Sequence, residues 1–453
     1  MSVKKGDIVK LTLDNITNGG DCVGRVNGLA VFVPDGIPGE KVEVKIIHRK
    51  KNYARGEIIN LIEPVEERID PKCAVYGACG GCQLQHMSYK EQLNNKKAIV
   101  KDALERIGKL QKVEVNDVIG SDYPFNYRNK AQFPLKEDEE GQIVTGFYRK
   151  ATHDIVAHNN CDIQHPVINK VAEAALDILN QHQLTVYNEE KHRGLLRHLV
   201  IRVGICTNQA LLTIVTKDCR FDHKHEIATE IINKVPELVG ILHNINKKKT
   251  NVIMGNKTEV LAGKDYYLDY IGMIKFAISN RSFFQVNTLQ TKKLYDIILK
   301  YAGLRGKETV IDAYCGIGTI SLYLSKKAEK VIGIETVAEA VADAGKNAGL
   351  NNINNCRFYA GKVEKMFPQL IKEGIIPDLL VFDPPRKGLD KKVIETVIEA
   401  KVDKIVYVSC NPATLARDIS YFKKLYRVEK IQPVDMFPQT YHVETVVSLG
   451  IKD

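Results

Sequence analysis

Four apolar runs in the last third of this chain each close on residues able to do chemistry. Residues 309–315 read TVIDAYC, 330–336 KVIGIET, 378–385 DLLVFDPP and 404–412 KIVYVSCNP. These are apolar strands, and helical segments separate them at 318–327, 337–349, 389–401 and 412–425. Alternating strand and helix predicts a doubly wound, mainly parallel sheet. In such a sheet, ligands bind beyond the carboxyl ends of the strands. The residues that close the runs therefore face one crevice.

The rest of the chain has a different grammar. GDIVKLTLDNI, LAVFVP, EKVEVKII and ARGEIINLIE alternate apolar and polar residues, with turn clusters at Asn18-Gly19-Gly20 and Pro34-Asp35-Gly36. Short strands with regular turn signals predict a small barrel of the OB kind. Residues 64–83 form a cysteine-bearing loop, and residues 88–108 form a helix with Ser88 as N-cap and Gly108 at its end. From about 112 to 270 strands and helices mix, HLVIRVGI and ALLTIVT being strand-like. The expected organisation is a multidomain α/β chain. An N-terminal OB-like barrel spans 1–62, an α+β central domain with a four-cysteine metal site spans 63–272, and a Rossmann-like domain spans 273–453.

At 453 residues the chain is long enough for two to four domains. Lys+Arg 65 against Asp+Glu 55 leaves a formal charge of +10, which permits a polyanionic partner. Between Lys41 and Arg55 there are six basic residues and one acid, Glu43, a stretch that suits either a solvated face or nucleic acid. No run of 18 apolar residues predicts a membrane span. The first thirty residues lack the apolar stretch of a signal peptide, so a cytoplasmic location is expected. There, ten cysteines suit metal binding or catalysis better than disulfides.

The crevice residues can be read one by one. Asp312-x-x-x-Gly316-x-Gly318 brings backbone close to a ligand and turns tightly into a helix. This spacing resembles motif I of Rossmann-like S-adenosylmethionine methyltransferases. Glu335 ends the second strand, where an acid accepts from ribose hydroxyls. Tyr314 sits where it would pack on the cofactor. Cys410, after the fourth strand, is the nucleophile candidate. The helix opening near Pro412 is expected to lower its thiol pKa, with Arg417 a further source of positive charge.

A thiolate solves a specific problem, since C5 of a pyrimidine is a poor nucleophile. Addition of sulfur at C6 makes an enolate that concentrates electron density at C5, and a base must later remove the C5 proton. Glu444, at the start of HVETVVSLG, fits that base, and His442 competes with it. Asp383-Pro384-Pro385 also occurs in amino-methyltransferases, but an aromatic residue usually follows there, where this chain has Arg386. The thiolate route is favoured. Separately, Cys73-x5-Cys79-x2-Cys82 with Cys161 could hold a zinc ion or an iron–sulfur cluster, and spacing alone does not choose.

Together these residues resemble the RNA uracil-C5 methyltransferase family, and within it the subgroup acting on 23S ribosomal RNA. The resemblance covers essentially the whole chain. It implies that the barrel is an RNA-binding TRAM domain and that Cys73, Cys79, Cys82 and Cys161 hold a [4Fe–4S] cluster. Ser282-Phe283-Phe284-Gln285-Val286-Asn287 matches the segment entering the catalytic domain and implies Gln285 as a contact to S-adenosylmethionine. Tyr314, Glu335 and Asp383 match the other cofactor positions, Cys410 the nucleophile and Glu444 the base. Tyr127–Phe133 resembles a central-domain segment whose basic residues touch RNA. Thr319 and Lys362 stand where some members have Asn. The resemblance implies methylation of C5 of a uridine in 23S ribosomal RNA; no membrane partner is expected, and the sequence leaves the oligomeric state open, with a monomer favoured. Transfer RNA as substrate, or a non-catalytic RNA-binding assembly role, are the alternatives.

Overall fold

The computed structural model describes residues 3–452. Five strands, β1 (Ile8–Ile16), β2 (Cys22–Val26), β3 (Leu29–Val33), β4 (Lys41–Arg49) and β5 (Tyr53–Glu63), close into a barrel in the order β1-β2-β3-β5-β4. Antiparallel pairing of β1 with β4 makes the closure, which removes both sheet edges. The alternation read from the sequence is realised in β4, where Val42, Val44 and Ile46 fill the interior and Lys41 and Lys45 face out. The sequence reading missed β2, whose five residues carry Gly24 and Arg25 and so show little alternation.

A long helix, α1 (Tyr89–Arg106), follows the cysteine loop, capped by the Ser88 hydroxyl accepting from the Glu91 amide at 3.4 Å. The central segment contains β6 (Lys130–Glu137), β7 (Ile143–Tyr148), β8 (Ile155–Ala157), α2 (Pro166–Gln181), β9 (Leu196–Val203), β10 (Ala210–Thr216), α3 (Lys224–Lys234), β11 (Leu238–Ile245) and β12 (Lys257–Gly263). Its strands form one seven-stranded sheet in the order β12-β11-β10-β9-β6-β7-β8. Strands β9 and β10 are buried along their whole length, because α2 and α3 cover one face, while on the other Leu211 joins the core cluster of Tyr267 and Phe284 and Arg202 donates to the Ser282 carbonyl. A hairpin of β13 (Tyr266–Ile271) and β14 (Ile274–Ser279) leads onward, and the boundary expected at 272/273 falls at its turn.

After α4 (Thr288–Ala302) the chain alternates as the four apolar runs require. The elements are β15 (Thr309–Ala313), α5 (Thr319–Leu324), β16 (Lys330–Glu335), α6 (Ala338–Leu350), β17 (Cys356–Ala360), α7 (Val363–Lys372), β18 (Leu379–Phe382), α8 (Lys391–Ala400), β19 (Lys404–Ser409), α9 (Pro412–Phe422), β20 (Tyr426–Val434) and β21 (Glu444–Ile451). The sheet order is β17-β16-β15-β18-β19-β21-β20. Strands β15 to β19 run parallel, while β21 is antiparallel to both β19 and β20. Strand β17, helix α7 and strand β20 escaped the sequence reading. β17 has no buried residue, and the first half of β20 mixes in Arg427, Glu429 and Lys430, so neither shows an apolar run. Among the described residues no helix is long and apolar enough to cross a membrane.

The three parts are knitted together by one segment. Helix α1 lies against the C-terminal unit, with Val100, Ala103 and Leu104 in the same core cluster as Leu415, Ala416 and Ile419 of α9. Toward its N-terminus the same buried face is polar. Lys96 forms an ion pair with Asp435 at 2.5 Å, and neither side chain has any exposed surface. Tyr89 also donates to Asp435, at 2.9 Å, and Gln92 meets Gln439. From the barrel, Gly20 approaches Tyr441 so closely that a Cβ there would lie 2.8 Å from the ring, and its φ of +83° favours glycine as well. Removing one partner of a buried pair strands the other charge, which costs about 3–5 kcal/mol. We expect Lys96→Met to lower stability in urea denaturation by about that amount, and Lys96→Met combined with Asp435→Leu to recover most of it.

Candidate active site

Four of the five parallel strands, β15, β16, β18 and β19, each deliver one candidate residue to the same edge. Strand β15 runs into Tyr314, which holds φ +70°, an uncommon conformation for a side chain of that size. The turn continues through Gly316 to Gly318, where a Cβ would press on Phe358 at 3.1 Å, and α5 follows. Beneath the turn, buried Asp312 accepts from Ser321 at 2.5 Å and leaves its Oδ1 without a partner. Glu335 ends β16, and its carboxylate is fixed by the Gly316 amide at 3.2 Å and by the Val337 amide and Thr336 hydroxyl at 2.9 Å each. Asp383 follows β18 and Cys410 follows β19.

Glu444 arrives from the opposite direction. Strand β21 pairs antiparallel with β19, with Thr445 opposite Ser409, so its first residue stands beside Cys410. Gln285 comes from the segment before α4. The Asn129 side chain donates to the Gln285 carbonyl at 2.9 Å, and the Asn129 amide donates to the Val286 carbonyl at 2.9 Å. The Tyr127–Phe133 segment, expected to touch RNA through its basic residues, thus also holds the cofactor-side segment through buried Asn129. Gln285, Tyr314, Glu335, Asp383, Cys410 and Glu444 all line one cavity of about 720 Å³. Thr319 and Lys362, where the family resemblance departs, line it too.

The electrostatics differ from the sequence expectation at the thiol. Burial, then the charges of Glu444 and Asp383, push Cys410 up to about 11, while Arg386 opposes them. The helix N-terminus and Arg417 were expected to lower it. Asn411 already caps α9 by accepting from Ala413, and Arg417 is turned away onto Asp418 at 2.7 Å and the Lys387 carbonyl at 2.9 Å. Burial raises both Asp383 and Glu444 above the ordinary carboxylate range, and their proximity raises Glu444 further. Among the described residues the Oε2 of Glu444 is buried with no hydrogen-bond partner, and the residue lines the cavity. His442 is driven down to about 4, first by burial and then by Arg386, whose Nη2 lies 3.3 Å from His442 Nε2. At neutral pH that imidazole is a weak base, which leaves Glu444 the better proton acceptor.

Sequence reasoning missed Tyr295 and Phe437, which also line the cavity. Tyr295 lies on an apolar face of α4 and reaches Thr319 through its hydroxyl at 2.7 Å, so no local pattern marks it. Phe283 was seen only as part of a motif, yet it stands 67% exposed at the cavity mouth.

Cys73, Cys79, Cys82 and Cys161 line a second cavity of about 310 Å³, together with Arg128 and Lys130. Burial raises the Cys82 thiol to about 12 and Cys161 to about 11. Thiols held protonated in this way ionise when a metal cation compensates them. Among the described residues, no group of three or more His, Cys, Asp or Glu is arranged to hold a metal ion.

With this geometry in place, comparison with known proteins is informative. The family model described as tRNA (Uracil-5-)-methyltransferase matches residues 88–452, and that of the TRAM domain matches residues 2–59. The chain belongs to the RNA uracil-5-methyltransferase family. Members from Bacillus cereus and Clostridium tetani, both named as uncharacterized RNA methyltransferases, are 48% and 46% identical to it. Those alignments cover 99% and 98% of this chain and 98% and 96% of the relatives. Among solved structures, the Pyrococcus abyssi tRNA (uracil-54, C5)-methyltransferase in complex with S-adenosyl-L-homocysteine superposes with a TM-score of 0.78 at 26% identity. It covers 97% of this chain and 100% of that one. This uracil-5-methyltransferase is thus an S-adenosylmethionine-dependent enzyme that methylates C5 of uracil in RNA. Its barrel is an RNA-binding TRAM domain.

The thiol shift is directly measurable. In the ligand-free enzyme, thiolate absorbance referenced to Cys410→Ser should give Cys410 a pKa above that of an ordinary thiol. Glu444→Gln removes a negative charge and should lower it, whereas Arg386→Gln removes a positive charge and should raise it.

Proposed function

We propose that this enzyme methylates C5 of a specific uridine in 23S ribosomal RNA through a covalent Cys410–C6 adduct, with Glu444 as the base. The observation that carries the mechanism is the convergence of Cys410 and Glu444 with Gln285, Tyr314, Glu335 and Asp383 around one cavity. In this reading Glu335 accepts from the ribose hydroxyls of the cofactor, Tyr314 packs on it, and Gln285 and Asp383 complete its contacts. When bound, S-adenosylmethionine supplies the methyl group as a cationic sulfonium.

The remaining steps belong to the chain and the base. Cys410 Sγ, as the thiolate, bonds to C6 of uracil, and the electron pair of the C5–C6 double bond moves onto C5 and O4. C5 bonds to the methyl carbon as the S–CH3 bond breaks with its electron pair staying on sulfur, so that S-adenosylhomocysteine leaves, and C5 becomes tetrahedral. Glu444 then takes the C5 proton, the C5–C6 double bond re-forms, and the C6–S bond breaks to return Cys410 as the thiolate. A cation in the cavity favours the ionised forms of Cys410 and of both carboxylates, so donor binding favours the state that reacts. Flipping the base out of its stack costs a few kcal/mol, least in a single-stranded loop. Phe283 at the mouth suits stacking against such a base. On the barrel, Lys45, Lys50 and Lys51 are exposed and form no ion pair among the described residues, which suits contact with phosphate.

The 23S assignment rests on the combined resemblance of barrel, cysteine loop and catalytic motifs. The superposition with the Pyrococcus transfer-RNA enzyme supports the second reading, a transfer-RNA substrate, because the shared architecture runs through the whole chain. A monomer is the state this reading assumes.

We read the four cysteines as ligands of a [4Fe–4S] cluster rather than zinc because the family resemblance implies it, and all four line one cavity. A cluster at Cys73, Cys79, Cys82 and Cys161 would place its negative charge near Arg128 and Lys130. Anaerobically purified protein should contain iron and acid-labile sulfide and show broad visible absorption. Stoichiometric zinc without iron would refute the cluster.

The deciding experiment is mass mapping of ribosomal and transfer RNA after reaction with methyl-labelled S-adenosylmethionine. A 5-methyluridine in 23S RNA is the expected outcome, and label in transfer RNA alone would overturn the substrate. Cys410→Ala should abolish transfer while still binding S-adenosylhomocysteine, and Glu444→Gln should accumulate a denaturant-stable RNA–protein adduct. Wild-type turnover in either variant would remove that residue from the mechanism.

A further inference from the structure

Among the described residues, Oε2 of the side chain proposed as the base, Glu444, is buried with no hydrogen bond to orient it, so the direction of the carboxyl is inherited from its backbone. That backbone is reached through residues 435–443, which connect β20 to β21 and carry Phe437 and His442 into the cavity. Hydrogen bonds from outside the catalytic unit grip the first half of this connection, at Asp435, Phe437, Pro438 and Gln439. Lys96 bonds Asp435 and the Phe437 carbonyl, at 2.5 and 3.1 Å. Tyr127, next to β6, donates to the Pro438 carbonyl at 2.9 Å.

The tightest grip is on Gln439. Its amide donates to Gln92 Oε1 at 3.0 Å, and Gln92 Nε2 donates back to Gln439 Oε1 at 3.0 Å. Its carbonyl accepts from two consecutive amides, Gln83 and Leu84, at 3.0 Å each. Both Gln92 and Gln439 are buried, at 1% and 3% exposure, where a lost hydrogen bond leaves a polar group unsatisfied. Gln439 also holds φ +69°, a conformation costly for a non-glycine residue and kept only where its surroundings impose it. Gln83 directly follows Cys82, so the cysteine loop touches the connection itself.

We propose that Gln92 and Gln439, backed by the Gln83 and Leu84 amides, are positioning residues for Glu444. They make helix α1 and the cysteine loop part of the proton-removal step. The inference rests on Glu444 being the base. Without the pair, the connection can relax from its strained turn, and the carboxyl drifts from the C5 proton. Tyr314, Glu335, Asp383 and Cys410 stand at the ends of β15, β16, β18 and β19, and the connection meets that side of the cavity through the Met436 carbonyl, which accepts from Asn287, and His442 beside Arg386, whereas Glu444 is the residue it delivers directly. Elimination is therefore the step that slows.

The test compares Gln92→Leu, Gln439→Asn and Glu444→Gln with wild type, using an in-vitro 23S transcript and a transfer-RNA transcript in parallel. Asn tolerates positive φ, but its side-chain oxygen is one methylene too short to accept from Gln92 Nε2; the backbone amide at this position still donates to Gln92 Oε1, so the second variant keeps the turn if the first fails to fold. Misplacement of a catalytic group by about 1 Å costs up to about a hundredfold. We expect turnover to fall roughly tenfold to a hundredfold in both glutamine variants. The denaturant-stable adduct should rise as in Glu444→Gln, and calorimetric binding of S-adenosylhomocysteine should not change. Slower turnover with no rise in adduct, wild-type turnover, or loss of S-adenosylhomocysteine binding in both variants would each overturn the proposal. If Glu444→Gln itself releases methylated RNA normally, the base assignment fails. If Glu444→Gln traps adduct and the glutamine variants do not, only the positioning role fails.

Discussion

A fully buried ion pair between Lys96 and Asp435 joins the first third of the chain to its last. Neither side chain reaches solvent, and desolvation pulls the lysine pKa down while Asp435 opposes that shift. Such a pair persists only where its remaining donors and acceptors are satisfied. Here Asp435 also accepts from the Tyr89 hydroxyl and the Phe437 amide, and Lys96 donates to the Phe437 carbonyl. The consequence is geometric. Tyr89, Gln92 and Lys96 recur at three- and four-residue spacing, which sets them on one face of α1, against the connection that leads to Glu444. Much else in the architecture follows from this seam, including the close approach of Gly20 to Tyr441 and the seating of the cysteine loop against Gln439.

The site itself concentrates acids in a confined space. Two carboxyl groups with raised pKa values and a thiol at about 11 face one cavity, with Arg386 as the opposing cation. Each of these groups ionises more readily when a positive charge enters. A methyl donor that is itself a cation therefore suits the cavity for more than its reactive carbon. The same confinement explains why the lowered thiol pKa expected from α9 is not found in the ligand-free protein. Burial and two acids outweigh a helix terminus whose amide is already capped by Asn411.

Legibility in the sequence followed locality. The barrel strands β1, β3, β4 and β5 showed as alternation because one face is wet and the other dry. The four strands of the catalytic sheet showed as apolar runs because helices cover both faces. Strand β17 and the charged half of β20 lie at the two edges of the sheet, where exposure erases the pattern. Helix α1 was legible as a helix, but its buried face was not. Gln92, Asn95 and Lys96 are the residue types that ordinarily stay in water, and only their partners across the chain explain their burial. The cysteines were legible as a set, and the structure brings all four to one cavity.

By itself, the sequence determined which residue closes each strand, and therefore that Tyr314, Glu335, Asp383 and Cys410 share one edge of a parallel sheet. That inference needs only the periodicity of the chain and the polarity of the strands. The place of Glu444 was decided by tertiary structure alone. Strand β21 enters antiparallel between β19 and β20, and its register, Thr445 opposite Ser409, sets the carboxyl beside the thiol. A one-residue slip would turn that side chain to the opposite face of the sheet. Register of this kind depends on hydrogen bonds between residues distant in sequence and on the turn that feeds the strand. Here that turn is held by α1, the cysteine loop and the barrel.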